Sequence, residues 1–211
     1  MSWNFKRELA RKFVHLLSIF ILLIYFLFAE IFSRQTALVI LVLILIVFLE
    51  LEYFRLEIGG KIPILNKIWK YVRRKKEKNK LGADVFFLLG AILVLSVFEL
   101  RIAIAAILMT TFGDMAAALI GKRFGKHYYL KERAWEGTLA EFSVDLLIAI
   151  LVFFGNNLSA IYSLEIWVVI FAMAITATFV ETVIYKMDDN LLIPIFSGFV
   201  GQIVLLIFRH L

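Results

Sequence analysis

Seven mostly apolar stretches, separated by polar segments, set the frame of this 211-residue chain. They run from Phe13 to Phe28, Ala37 to Leu49, Val85 to Phe98, Ile102 to Ile120, Leu139 to Phe154, Ile166 to Tyr185 and Leu191 to Phe208. A hydrocarbon core of about 30 Å takes about 20 helical residues to cross, so several stretches need amphipathic extensions such as Leu51 to Phe54. The first stretch follows a basic start and lacks a small-residue cleavage site, which reads as a retained helix and not a signal peptide. The pattern predicts an all-α, polytopic membrane helix bundle of about seven transmembrane helices. It forms a single domain over residues 1–211.

Between the second and third spans the apolar positions change period. Ile64, Leu65, Ile68, Trp69 and Val72 recur at helical spacing, with Lys61, Lys67, Lys70 and Arg74 among them. This predicts an amphipathic helix on the inner leaflet. Its basic end, Arg73 to Lys80, has two readings, a topology signal or a contact for anionic headgroups or nucleotide phosphates. Lys and Arg then orient the chain. With the N-terminus cytoplasmic, twenty of them fall on the cytoplasmic side, against Arg34, Arg101 and Arg209 on the other. That asymmetry places the N-terminus inside and the C-terminus outside.

Composition narrows the class. The chain is 63% hydrophobic with a mean hydropathy of +0.92 and only 19% charged residues, which excludes a soluble domain. It has no cysteine, so disulfides, thiolate metal sites and thiol nucleophiles are excluded. The Cys-free, Ile- and Lys-rich composition points to the cell membrane of a prokaryote. Membrane lipids are the expected surroundings and nucleic acid is not an expected partner. The apolar faces leave room for a homodimer.

Against that background the polar residues within the spans carry the chemistry. His15, Asp114, Glu141, Asp145 and Glu181 all lie in hydrophobic surroundings. An acid at the bilayer centre costs roughly 2.5–3.5 kcal/mol on insertion scales, so these must be paired, hydrated or bound to metal. At 1.5 Å per residue Asp114 lies about 10 Å from the cytoplasmic end near Gly121. Glu141 lies about one turn inside Thr138, and Glu181 and His15 are within about two turns of the same boundary. All point to a polar cavity open to the cytoplasm.

Spacing groups them further. Glu8, Arg11, Lys12 and His15 share one face of the first helix, and Thr138, Glu141 and Asp145 share one face of the fifth. Carboxylates from three places, Asp114, Glu136 and the Asp188/Asp189 pair, offer oxygen ligands for one or two Mg²⁺ ions. The basic residues between Gly121 and Arg133 would neutralise a polyphosphate, and the glycines there let backbone N–H groups approach it. Structural alternatives stand beside each of these. Glu141 and Asp145 could serve as partners for Lys or Arg, Asp188 and Asp189 could cap a helix, and the GKRFGK glycines could end the fourth helix. GKRFGKH is not a Walker A loop, because its glycines are one residue too close and His127 stands where Ser or Thr must bind Mg²⁺.

Four blocks carry a family resemblance: ELARKFVH (Glu8 to His15), NKLGADVFFLLGA (Asn79 to Ala91), GDMAAALIGKRFGK with WEGTLA (Gly113 to Ala140), and ETVIYKMDDNLLIP (Glu181 to Pro194). In this order and topology the chain resembles the CTP-dependent polyprenol kinases, a family that includes dolichol kinase, phytol kinase and CTP-dependent diacylglycerol kinase. On that resemblance Asp114, Ala117, Gly121, Gly125, Glu136 and Gly137 fall on the nucleotide motif. The stretch Glu132-Arg133-Ala134 departs from it, standing where the family has two cations and a hydroxyl residue.

The resemblance implies an integral-membrane kinase that moves the terminal phosphate of CTP, or another NTP, to the hydroxyl of a polyprenol- or dolichol-like lipid alcohol on the cytoplasmic face. The expected cofactor is Mg²⁺, held by Asp114 with Asp188 or Asp189. Lys122, Arg123, Lys126 and Arg133, with Lys12, would face the phosphates. Glu136, Asp189 or His15 would orient or deprotonate the alcohol. The runner-up is a CTP-dependent cytidylyltransferase making a CDP-activated lipid. A transporter ranks lower, because the outer halves of the spans are almost wholly apolar.

Overall fold

A computed structural model of the chain describes residues 19–58, 80–130, 133–155, 161–184 and 187–210. Among them lie seven helices: α1 Ile19–Ile31, α2 Arg34–Ile58, α3 Ala83–Val97, α4 Leu100–Phe124, α5 Trp135–Phe154, α6 Leu164–Val183 and α7 Asp189–His210. A two-stranded antiparallel hairpin, β1 Tyr128–Leu130 and β2 Arg133–Ala134, joins α4 to α5. Helices α2, α4, α5, α6 and α7 are long and apolar enough to cross a membrane, and α1 and α3 are shorter apolar helices. The fold class is an all-α membrane helix bundle.

Each predicted span contains a helix, but the helices outrun their apolar stretches, two of them markedly at the C-terminal end. Helix α2 continues past Leu49 to Ile58, and α4 past Ile120 to Phe124, taking in Gly121, Lys122 and Arg123. Hydropathy marks where hydrocarbon ends. The backbone ladder does not end there, because charged side chains reach water without breaking it. The predicted amphipathic helix within 55–80 falls mostly on 59–79, outside the described residues, as do residues 13–18 of the first span.

The chain divides into two compact units, residues 1–92 and 93–211. In the first, α1 and α2 pack against each other. The turn between them is closed by Ser33, whose Oγ accepts the Thr36 N–H at 3.1 Å and so caps α2. Near the other end of α2, Glu52 is 3% exposed. Its Oε2 lies 2.8 Å from Arg55 Nη2 and accepts the Gly82 N–H at 3.1 Å, while Arg55 also donates to the Lys80 carbonyl. This ion pair fixes where the chain returns to begin α3.

The second unit is built around α4, which packs on α5, α6 and α7. Small residues on α4, Ala103, Ala105 and Ala106, are fully buried and keep the neighbouring helices close. At one end Gln202 Oε1 accepts the Glu99 N–H at 2.8 Å, and Arg209 lies 2.8 Å from Glu99. The start of α4 therefore meets the end of α7, so the end of α4 and the start of α7 share the opposite pole. The outward positions stay apolar: Leu139 on α5 is 66% exposed and Phe179 on α6 is 62% exposed. Such surface suits lipid, not water.

Candidate functional site

The shared pole of α4 and α7 is where the acids gather. Asp114 lies two turns inside the last turn of α4, Glu181 in the last turn of α6, and Asp189 at the first residue of α7. Carboxylate oxygens of these three residues all lie within 4.8 Å of one another. Glu181 is buried, and Asp114 and Asp189 are half-buried. Three chain-distant carboxylates this close repel each other unless a cation joins them. Among the described residues, Arg133 on β2 reaches the group, with Nη2 2.9 Å from Glu181 Oε1.

A divalent ion fits the donor set. Mg²⁺ binds oxygen at 2.0–2.1 Å, so ligands on opposite sides stand about 4.2 Å apart, close to the spread here. Three carboxylates would leave coordination positions for water and phosphate oxygens, which Mg²⁺ keeps in phosphoryl-transfer sites, where one or two carboxylates usually hold it.

The sequence-derived candidates divide under this geometry. Asp114 and Asp189 come together. Glu181, noted in the sequence only as an acid near the boundary, completes the group. Asp188 and Asp189 both meet Asn190 at the start of α7: Asp188 Oδ1 accepts its backbone N–H at 3.1 Å, as Asp189 Oδ1 does at 3.0 Å, and the Asp188 carbonyl receives Leu191 and Leu192 N–H. Glu136 likewise works at a helix start. It accepts the His127 backbone N–H at 3.3 Å and lies 2.8 Å from His127 Nδ1. His15 and Lys12 lie outside the described residues.

The glycines of the motif bring helices together. Gly121 sits inside α4 facing Gly137 on α5, and a Cβ on Gly137 would come within 2.8 Å of the Ala117 carbonyl and 2.9 Å of Gly121 Cα. No side chain fits in that contact. Gly125 ends α4, donating its N–H to the Gly121 carbonyl at 3.1 Å. Beyond it the hairpin folds back: Tyr129 Oη lies 2.6 Å from Thr138 Oγ1, and its ring packs on Trp135 at 4.8 Å between centroids. This return delivers Arg133 to Glu181. Lys122, half-buried, and Arg123 and Lys126, exposed, stand around the same end.

Behind the three-carboxylate group lies a second acidic layer. Glu141 and Asp145, one turn apart on α5, are 2% and 1% exposed. Glu141 is close enough to feel the charges of Glu181, Asp145, Asp114 and Arg133. Asp145 Oδ2 lies 3.3 Å from Thr178 Oγ1 on α6.

A helical membrane protein with a carboxylate group and basic residues at one pole is the class that this geometry defines. Two curated relatives are specific. A CTP-dependent diacylglycerol kinase of Schizosaccharomyces pombe is 25% identical over 144 residues, covering 64% of this chain and 66% of that protein. A phytol kinase of Synechocystis sp. is 30% identical over 147 residues, covering 67% of this chain and 60% of that protein. The chain thus spans a little under two thirds of the length of these relatives. They are members of the CTP-dependent polyprenol and lipid kinase family, the one that the four sequence blocks resemble. No family model matches the chain, and no solved structure matches it.

Proposed function

We propose that this protein is a Mg²⁺-dependent lipid-alcohol kinase, which transfers the terminal phosphate of CTP, or another NTP, to the hydroxyl of a polyprenol-like or related lipid alcohol at the cytoplasmic end of the bundle. The observation that carries the reading is the meeting of Asp114, Glu181 and Asp189 beside Arg133 at one pole of an apolar bundle. Two relatives whose names specify lipid-alcohol phosphorylation support it.

Phosphoryl transfer asks the protein for positioning and charge neutralisation more than covalent chemistry. The alcohol oxygen forms a bond to the terminal phosphorus, the bond from that phosphorus to the bridging oxygen breaks, and the hydroxyl proton leaves. Asp114, Glu181 and Asp189 would hold Mg²⁺, which supplies charge neutralisation at the phosphates. Arg133 would exchange its hold on Glu181 for the transferring phosphoryl oxygens, and Lys122, Arg123 and Lys126 would screen the rest of the polyphosphate. Glu136 or Asp189 accepts the hydroxyl proton, with His15 the remaining candidate base. The lipid approaches sideways from the bilayer, so its tail stays against apolar helix faces and only its hydroxyl reaches the acids.

The test is transfer itself. Purified protein is given γ-labelled CTP or ATP with a polyprenol, a phytol-like alcohol or a diacylglycerol. The reading expects label in the lipid for at least one alcohol. No labelled lipid with any nucleotide and any of the three alcohols would overturn it.

A further inference from the structure

Asp145 stands one layer below the carboxylate group and touches neither nucleotide nor lipid in the mechanism above. Its two oxygens face two different helices. Oδ1 lies against Gly113 of α4, where any Cβ would overlap it. Oδ2 lies 3.3 Å from Thr178 Oγ1 of α6, whose hydroxyl is also 3.0 Å from the Ala174 carbonyl and shares its hydrogen between them.

The positions of these contacts are informative. Gly113 immediately precedes Asp114, and Thr178 is one turn before Glu181. A single side chain on α5 therefore abuts the backbone beside one ligand and the hydroxyl beneath another. Asp145 is 1% exposed, and its Oδ1 meets no hydrogen-bond donor among the described residues. The contact with Gly113 is thus one of shape, a carboxylate filling the space that the missing side chain leaves.

From this we infer that Asp145 is a positioning residue which sets the separation of the Asp114 and Glu181 carboxylates, and with it the affinity of the site for a divalent ion. The inference rests on the metal-site reading of Asp114, Glu181 and Asp189. Wedged between α4 and α6, the Asp145 carboxyl holds the two helices at the spacing that brings those carboxylates within 4.8 Å. A shorter side chain lets α4 and α6 settle differently, and the ligand oxygens lose their common centre. Residues that orient ligands from behind typically change metal affinity roughly 10–100-fold when removed.

The experiment measures Mn²⁺ binding by the electron paramagnetic resonance signal of the free ion, on full-length protein in nanodiscs, without nucleotide or lipid substrate. The expectation is Mn²⁺ affinity roughly 10-fold or more below wild type in Asp145→Ala, and near wild type in Asp145→Asn, which keeps the shape. Thr178→Val, of equal size, loses the tie to α6 and weakens binding in the same direction. With saturating metal Asp145→Ala recovers most of kcat, so the defect lies in the metal dependence.

Wild-type Mn²⁺ affinity in both Asp145→Ala and Thr178→Val, with binding lost in Asp114→Asn, would overturn the positioning role while leaving the metal site intact. Equal loss in Asp145→Asn and Asp145→Ala would also overturn it, since charge and not spacing would then be at work. Undiminished binding in Asp114→Asn would sink the metal-site reading itself. Asp145→Asn and Thr178→Val keep the test valid should Asp145→Ala fail to fold.

Discussion

Arg133 and Glu181 are joined by a 2.9 Å ion pair that links the hairpin between α4 and α5 to the last turn of α6. They are far apart in sequence, and neither residue type is unusual at a membrane boundary. Their pairing turns the hairpin into a wall of the acidic group. In the proposed reaction it would also give the transferring phosphoryl group a cation beside the carboxylate group.

Arg133→Ala should therefore lower kcat by about 100-fold or more, the usual consequence of removing one donor that stabilises transition-state charge. Arg133→Lys should recover part of it, because a point charge replaces a fork. Steady-state kinetics with CTP and a lipid alcohol measure both. Unchanged kcat in Arg133→Ala would show that the hairpin is only structural.

The two adjacent acids at the start of α7 should behave differently. Asp189→Asn should lose divalent-ion binding along with transfer, as Glu181→Gln should, because both are proposed to supply ligand oxygens. Asp188→Ala should retain binding and instead lose a helix cap, lowering stability by about 0.5–2 kcal/mol. Mn²⁺ titration and thermal unfolding in detergent separate the two effects. Equal Mn²⁺ loss in both variants would place Asp188 among the ligands.

Gly137→Ala should be poorly tolerated. Its Cβ would press on the Ala117 carbonyl at 2.8 Å and on Gly121 Cα at 2.9 Å, forcing α4 and α5 apart. A loss of about 1–3 kcal/mol is expected from overpacking of this kind. Gly121→Ala should cost less, since its Cβ would meet Gly137 Cα at 3.3 Å. The order of the two melting temperatures decides the point.

Metal removal should silence the protein reversibly. Transfer should vanish with excess EDTA and return on adding Mg²⁺ in excess of the chelator. Activity that survives full chelation would leave the three carboxylates without their proposed role.

The sequence made the helices legible because lipid demands long apolar runs, and every predicted span holds a helix. It was less informative about where helices stop, since hydropathy ends at Ile120 whereas the backbone ladder runs on through Lys122 and Arg123 to Phe124. The hairpin was not foreseen. Tyr128 to Ala134 has no clean alternation, and it is held by side-chain ties such as Tyr129 to Thr138 that only the folded chain reveals.

The acids show the same division. Asp114 was identifiable from its apolar surroundings and sequence block, and Asp189 as one of the adjacent acidic pair in its block. Glu181 was visible as an acid in an apolar helix, but its partnership depends on how α6 and α7 meet. Gly121 is one of the glycines that would let backbone N–H groups approach a phosphate, and Gly137 falls on the nucleotide motif by resemblance; in the fold the two meet at the contact between α4 and α5. Spacing along one chain cannot distinguish these uses, because both require the absence of a side chain.

The central claim is that a terminal phosphoryl group moves to a lipid alcohol at the Asp114, Glu181 and Asp189 group. The most direct measurement compares γ-labelled with α-labelled CTP on wild type and Asp114→Asn, with thin-layer separation of the lipid product. Label should enter the lipid from the γ position alone, and only with the wild-type protein. Label entering from the α position, or γ transfer undiminished in Asp114→Asn, would contradict it.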